Sequence, residues 1–324
     1  MSNQYDVIII GAGPAGLSCA NQLKKSNLSI LLIEKNKIIG PKICAGGLSN
    51  LNKDLNIKEE KLRNFQSQKI YIKEQEHTIP LNNPLKIISR FELGQYQLKK
   101  IQNHKNIKIL KNTKTTKIKK NEIITSQGSF KFKYLIGADG SNSIVRQHLK
   151  LKSKICIGGY YNIPKITNEL ILYFNPKQLR SGYIWVFPHK THTNIGVFYN
   201  PKFVSAQNSK INLENFLKSQ KLDFSQSKFE SAAINYSYNG CIFDNIFLIG
   251  DAAGLASKTT GEGIPFAIIS GEEIAKKLIN KNYEMYELNK ILERKQKQEK
   301  MLKVFEDLPF TKQHLFIKMF FNIR

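Results

Sequence analysis

The hexapeptide Gly11-Ala12-Gly13-Pro14-Ala15-Gly16 restricts this chain more than any other stretch. It follows an apolar run at 5–10, which reads as a buried parallel strand, and opens a helical pattern that lasts to about residue 25. A second strand-like run at 28–33 completes a βαβ opening. In such a unit Gly11 permits the tight turn, Gly13 lets the backbone approach a pyrophosphate, and Gly16 lets the helix pack closely on the strand. The dipole of the helix that opens at Pro14, and the free N–H groups from Ala15 onward, favour the phosphate charge. Glu34, with Lys35 beside it, ends the second strand near the interval at which an acid hydrogen-bonds ribose hydroxyls. A bound dinucleotide is implied, with a plain βα turn as the alternative. The hexapeptide alone does not choose between NAD and FAD.

Beyond this opening, strands are predicted at 68–73, 77–81, 85–89, 107–110, 115–118, 122–125 and 130–133, with a helix at 91–101. Residues 134–136 lead into a turn. From 154 to 238 strands dominate (155–163, 169–174, 183–188, 194–199 and 230–238), with one helical interruption near 213–218. An apolar run ending in glycine returns at 243–249, followed by a helix over about 265–280 and a helical tail broken at Pro309. The fold class is therefore α/β: a Rossmann-like dinucleotide-binding domain interrupted by a mostly antiparallel sheet domain, with a helical C-terminus. Residues 1–67, 91–150 and 240–282 are assigned to the first domain, 68–90 and 151–239 to the sheet domain, and 283–324 to the tail.

Composition narrows the function classes. With 41% hydrophobic residues over 324 positions, a sizeable core can form. No stretch approaches the roughly 18 consecutive apolar residues of a membrane-spanning helix. The strand-like run from residue 5 leaves no room for a signal peptide. Cys19, Cys44, Cys156 and Cys241 lie far apart, which argues against a zinc site or a disulfide framework and fits a reducing cytoplasm. The formal charge of +25 reads either as ordinary solvated lysines or as attraction to an anionic membrane surface. No nucleic-acid motif accompanies it.

Two later segments decide the cofactor. Gly137-Ala138-Asp139-Gly140, with Ser-Asn-Ser-x-Val-Arg after it, and Gly250-Asp251-Ala252-Ala253-Gly254, with Thr260-Gly261-Glu262-Gly263-Ile264 after it, each follow a strand. With the opening hexapeptide, in this order, they resemble the flavoproteins of the p-hydroxybenzoate hydroxylase fold. That resemblance implies FAD, with Asp251 on its ribityl chain and the glycine-rich 261–264 stretch against the flavin ring. A helix starting near Ile264 would aim its positive end at the reduced ring. Arg90 is similar to the arginine that opens a helix over the FAD phosphates in this fold, although Gly94 stands where an Asp is usual.

Within this fold, the loop Lys42-Ile43-Cys44-Ala45-Gly46-Gly47 resembles that of the geranylgeranyl reductase family, where it lies against the flavin. Tyr183-Ile184-Trp185-Val186-Phe187-Pro188 is similar to part of the family's substrate-cavity signature. Two departures stand out: Arg180 and Lys258 occupy positions where proline is usual. Tyr183, Trp185 and Phe187 alternate and so share one face of a strand, where they wall a pocket or fill a core. Cys44 is either a small buried hydrophobe or, beside a flavin, a catalytic proton donor. His189 and His192 are expected in solvent, and the other cysteines in the core.

The resemblance implies reduction of C=C bonds in a polyprenyl lipid or quinone side chain, with NADPH or a ferredoxin-like protein as reductant. A monooxygenase of the same fold and a flavin electron-transfer protein are the alternatives. Leu315, Phe316, Ile317, Met319, Phe320 and Phe321 beside Lys318 give the tail a surface that either touches the inner face of a membrane or docks on the core.

Overall fold

The computed structural model describes residues 3–48, 57–72 and 74–323, which form two eight-stranded sheets. The first is built on parallel strands β1 (Gln4–Ile10), β2 (Ile30–Ile33), β6 (Ile107–Leu110), β9 (Gly128–Gly137) and β16 (Ile246–Leu248), in the order β16-β9-β1-β2-β6. Ile8, Ile9, Leu31, Leu32, Leu135 and Ile136 are fully buried, as strands covered on both faces require. Helix α1 (Pro14–Leu23) packs against α6 (Ile264–Ile279), and they come so close that a Cβ on Gly271 would lie 2.3 Å from the Ala15 carbonyl oxygen. Helix α2 (Arg90–Lys99) follows, and the short α3 (Ile144–His148) comes off the end of β9. The hairpin β7 (Thr115–Ile118) and β8 (Glu122–Thr125) joins β9 antiparallel, and β15 (Ile242–Phe243) closes the far edge.

The second sheet has the order β14-β10-β13-β12-β11-β4-β5-β3, antiparallel except where β11 meets β4. Its strands are β3 (Gly47–Leu48), β4 (Arg63–Ile72), β5 (Gln75–Ile87), β10 (Ile155–Ile163), β11 (Ile171–Phe174), β12 (Tyr183–Pro188), β13 (Thr193–Tyr199) and β14 (Glu230–Asn235). One face buries Ile184, Val186, Ile195 and Val197 under α5 (Ala206–Ser219), through Leu213 and Leu217. The opposite face presents Tyr160, Trp185 and Phe198 to the 43–45 loop. The one-turn helix α4 (Pro176–Leu179) leads into β12. The long α7 (Tyr286–Asp307) and α8 (Phe310–Phe320) cover Ile70 and Ile72 with Leu302, Phe305 and Ile317. Among the described residues no helix is long and apolar enough to cross a membrane.

The structure departs from the sequence reading at several places. The strands expected at 77–81 and 85–89 are one strand, β5. Its register against β4 slips between Phe65 and Ser67, opposite a stretch from Pro80 to Leu85 that includes Pro84. Prolines lack the N–H that a ladder needs, so the interruption looked like a loop. Residues 134–136, expected to lead into a turn, are the last part of β9, the strand between β1 and β16, which ends at Gly137. The run at 243–249 breaks into β15 and β16, because Asp244 adopts a left-handed conformation at φ 57°. Finally, β4 starts at Arg63 and β3 also joins the second sheet, so the boundary drawn at 68 falls inside a strand.

Candidate active site

The site starts at the C-terminal end of β1. Gly11 has φ 101°, and a Cβ there would lie 2.4 Å from the Ala138 carbonyl oxygen, so the turn accepts only glycine. Gly16 sits beneath it, where a Cβ would meet the Gly11 oxygen at 2.0 Å. Gly13 caps α1 without any side-chain hydrogen bond and Pro14 takes the first turn, where its missing N–H costs nothing. Glu34 is buried, with its carboxylate accepting from Ala12 N (2.9 Å) and Asn36 N (3.0 Å). Gly11, Gly13, Pro14 and Glu34 line a cleft of about 660 Å³ together with Lys35, Lys42, Arg90, Asp139 and Asp251.

Arg90 begins α2, whose N-cap Ser89 accepts from Glu92 N at 3.1 Å. The arginine is buried and its Nε has no partner. Gly94 has a packing reason, since a Cβ there would come within 2.4 Å of the Gly40 Cα. Asp139 turns one carboxylate oxygen to Ile144 N at 2.7 Å and leaves the other buried without a partner. Burial raises its pKa above the usual carboxylate value. Asp251 faces Lys42, with Nζ 3.2 Å from Oδ2, and Ser141 Oγ stands 3.2 Å from the same oxygen. Gly250 lies deeper, its N–H donating to Ser270 Oγ at 2.9 Å.

At Lys42, Arg90 and Asp251 the cleft opens into a second cavity of about 390 Å³. Cys44, Ala45, Gly261, Gly263 and Ile264 line its near end, and Tyr183, Trp185 and Phe187 wall it. The Tyr183 hydroxyl donates to the Thr260 carbonyl at 2.5 Å, and the Trp185 indole N–H to Asn194 Oδ1 at 2.7 Å. Gly196, opposite Trp185 on β13, leaves room for the indole. Trp185 is buried, and its face borders the cavity.

Cys44 is half-buried, and its Sγ accepts from Gly46 N at 3.4 Å. Behind its loop lies a third, polar chamber of about 350 Å³ containing Tyr160, Asn162, His189 and Glu230. Burial, and secondly Glu230, pushes the Tyr160 phenol up to about 12. Burial pushes Cys156 and Cys241 up to about 12 and raises Cys19 further still, which leaves them protonated core groups.

The expectation that His189 and His192 lie in solvent is wrong. His189 is 6% exposed, stacks on half-buried His192 at 4.6 Å, and reaches the Ala45 carbonyl at 3.0 Å. The β12–β13 turn folds the His189 ring back over the 44–46 loop, with His192 stacked on it, a contact with no sequence signal. Also outside the expected set is Arg146, 1% exposed, whose guanidinium reaches the carbonyls of Ser237 (2.7 Å) and Ala252 (3.2 Å). It ties the turn after β9 to the loop carrying Asp251. The arginine ending the Ser-Asn-Ser-x-Val-Arg run was its signal.

These residues fit FAD. A helix N-terminus without a side-chain cap faces open space, since a Cβ on Gly13 would meet nothing within 4 Å. A buried arginine Nε awaits an acceptor at the same cleft, and an acid stands at the end of β2. Doubly wound sheet, cleft and inserted second sheet together define an FAD-dependent oxidoreductase. The pyridine nucleotide-disulphide oxidoreductase family matches residues 5–155. An uncharacterized protein of Methanosarcina barkeri is 31% identical over 83% of this chain and 73% of its own. A digeranylgeranylglycerophospholipid reductase of Methanococcus vannielii is 27% identical over 87% and 80%, respectively. In fold, the chain superposes on a geranylgeranyl bacteriochlorophyll reductase-like protein of Thermoplasma acidophilum with a TM-score of 0.79, at 22% identity over 96% of this chain and 90% of that one. The chain belongs to the geranylgeranyl reductase family of flavoproteins.

Proposed function

We propose that this chain reduces isolated C=C bonds in a polyprenyl lipid or quinone side chain. The observation carrying the reading is the junction at Lys42 and Asp251, where a cleft that fits FAD opens into an apolar cavity walled by Tyr183, Trp185 and Phe187. Relatives named as digeranylgeranylglycerophospholipid reductases support the substrate class. Bound FAD supplies the two-electron reduction, recharged by NADPH or a ferredoxin-like donor.

The remaining work falls to side chains. Gly11, Gly13, Pro14, Ala15 and the N-terminus of α1 bind the pyrophosphate, with Arg90 supplying charge. Glu34, beside Lys35, takes the adenosine ribose, while Lys42 and Asp251 position the ribityl chain. Gly261, Gly263 and Ile264 bring the α6 N-terminus to the ring. Gly16, Asp139 and Gly250 hold the turns around the cofactor. Tyr183, Trp185 and Phe187 exclude water and align the apolar chain. Cys44, next to Ala45 at the cavity's near end, holds the proton for the second alkene carbon at Sγ.

The two readings of the tail fall on opposite sides of α8. Gln313 and Ile317 are buried on the core, whereas Leu315 and Met319 are 57% and 61% exposed. With Lys312 and Lys318 on the same helix, the outward side supports contact with the anionic inner face of a membrane. Replacing Leu315 and Met319 by serine should abolish sedimentation with anionic liposomes.

The decisive experiment is mass spectrometry of lipids from a host that makes unsaturated prenyl lipids and expresses this chain. A gain of two hydrogens per reduced bond is expected, absent with Cys44→Ala. Unchanged lipids in the presence of FAD-loaded protein overturn the reading, and a product gaining oxygen identifies a hydroxylase instead.

A further inference from the structure

We infer that the apolar cavity continues past Tyr183 into a distal subsite for the far end of an elongated apolar ligand, and that Phe321 divides the two. The identity of that ligand as a prenyl chain rests on the function proposed above; its apolar, elongated character does not.

The distal chamber holds about 100 Å³ between β11–β12 and the α7–α8 hairpin, with Leu302, Phe305, Phe316 and Ile317 among its walls. It shares Leu172, Tyr183, Thr260, Phe320 and Phe321 with the cavity at the Cys44 loop, so one set of residues borders both spaces. Phe174 stands between the dividing rings, 5.6 Å from Tyr183 and 5.6 Å from Phe321. Tyr183 is fixed by its bond to the Thr260 carbonyl, which also removes its polar end from the passage. Phe321 is half-buried at the C-terminal end of α8 and has no such tether, so it is the ring able to yield.

The outer wall is held by contacts from the loops before β12 and before α6. Lys258 Nζ lies 2.8 Å from Glu306 on α7, and Ser181 Oγ donates to the same carboxylate at 2.9 Å. The Arg180 guanidinium sits 4.2 Å from the Phe310 ring centroid at the start of α8. Arg180 and Lys258 are the two positions where proline was expected from the resemblance, and both instead grip the C-terminal helices. One of the two departures, Arg180, lines the distal chamber itself, and the other, Lys258, braces the helix that closes it.

The test uses FAD-loaded full-length protein and a series of n-alkanols of increasing length, followed by the fluorescence of Trp185, the sole tryptophan. Each methylene that finds burial should tighten binding about fourfold. In the wild type that gain should continue for chains longer than the first cavity holds. Ile317→Phe and Met301→Phe fill the chamber from the two helices of the hairpin and should end the gain at the length that fills the first cavity, leaving shorter alkanols unaffected. Phe321→Leu should strengthen binding of the longer members. A length dependence unchanged in both filled variants, or no alkanol binding to the wild type, overturns the inference. Alkanols carry no C=C bond, so a failure of the reductase reading leaves this result standing.

Discussion

His189 Nε2 lies 3.0 Å from the carbonyl oxygen of Ala45, so a ring from the second sheet is bonded to the loop that carries Cys44. Burial first, then His192 and Arg63, pushes this imidazole down to about 4. It is therefore neutral at pH 7, with its Nε2–H donating to Ala45. The unfolded chain takes up a proton near pH 6.5 and the folded one only near 4. The stabilisation is complete above about pH 6.5 and is lost as pH falls toward 4, by about 1.4 kcal/mol per pH unit. Urea unfolding should show the wild type losing stability between pH 6.5 and 5 more steeply than His189→Gln, which keeps a donor but does not titrate. Parallel pH profiles would remove His189 from this role.

Gly13 and Gly16 share one motif but should fail differently. A Cβ on Gly16 would lie 2.0 Å from the Gly11 oxygen, so Gly16→Ala should destabilise the apoprotein by about 1–3 kcal/mol. At Gly13, with φ −77° and nothing within 4 Å, alanine is tolerated by the fold. That methyl occupies the approach to α1, and FAD affinity should drop on the order of tenfold, about 1.4 kcal/mol. Thermal melts of apoprotein and FAD titrations separate the two. A Gly13→Ala protein that binds FAD normally contradicts the pyrophosphate assignment.

A Cβ on Gly196 would stand 2.2 Å from Trp185 Cζ2 and 2.5 Å from the Gly159 oxygen. Gly196→Ala must push the indole off its bond to Asn194 and into the cavity. The expected cost is about 1–3 kcal/mol in urea unfolding. Because Trp185 is the only tryptophan, its emission should shift as it leaves a buried site. Unaltered emission and stability would mean the sheet absorbs the methyl elsewhere.

Local chemistry explains which parts of this architecture could be read from the chain. The β1–α1 turn was legible because its demands are local: one left-handed glycine, one close approach, one open helix end. Glu34 was legible because a four-residue buried strand fixes its distance from that turn. The Tyr183–Phe187 alternation identified a face but not its neighbour, since Ile184 and Val186 are equally apolar and α5 could have covered either side. The clamp of His189 on Ala45 joins positions 144 residues apart, and no periodicity encodes such a contact. The same holds for the broken ladder at Pro80, where a missing N–H imitates a loop end. Arg180 and Lys258 registered only as departures from a pattern, and the contacts that explain them lie on α7 and α8.

Lys258 and Glu306 form the firmest of those contacts, 2.8 Å apart with side chains 18% and 14% exposed. Removing one member leaves the other partly desolvated without its countercharge. For fully buried pairs that costs roughly 3–5 kcal/mol, and the residual solvent access here should reduce it to about 1–3 kcal/mol for Lys258→Met. The loss should be concentrated where the pair acts, on the hold of α7 and α8 over β11 and β12. Thermolysin should then cut the α7–α8 hairpin faster, while apoprotein fluorescence from Trp185 stays native. Adding Glu306→Gln removes the stranded carboxylate yet keeps an acceptor for Ser181, so the double variant should regain part of the lost stability. If the single variant resists both urea and thermolysin like the wild type, the hairpin is held without this pair, by its other contacts with the second sheet.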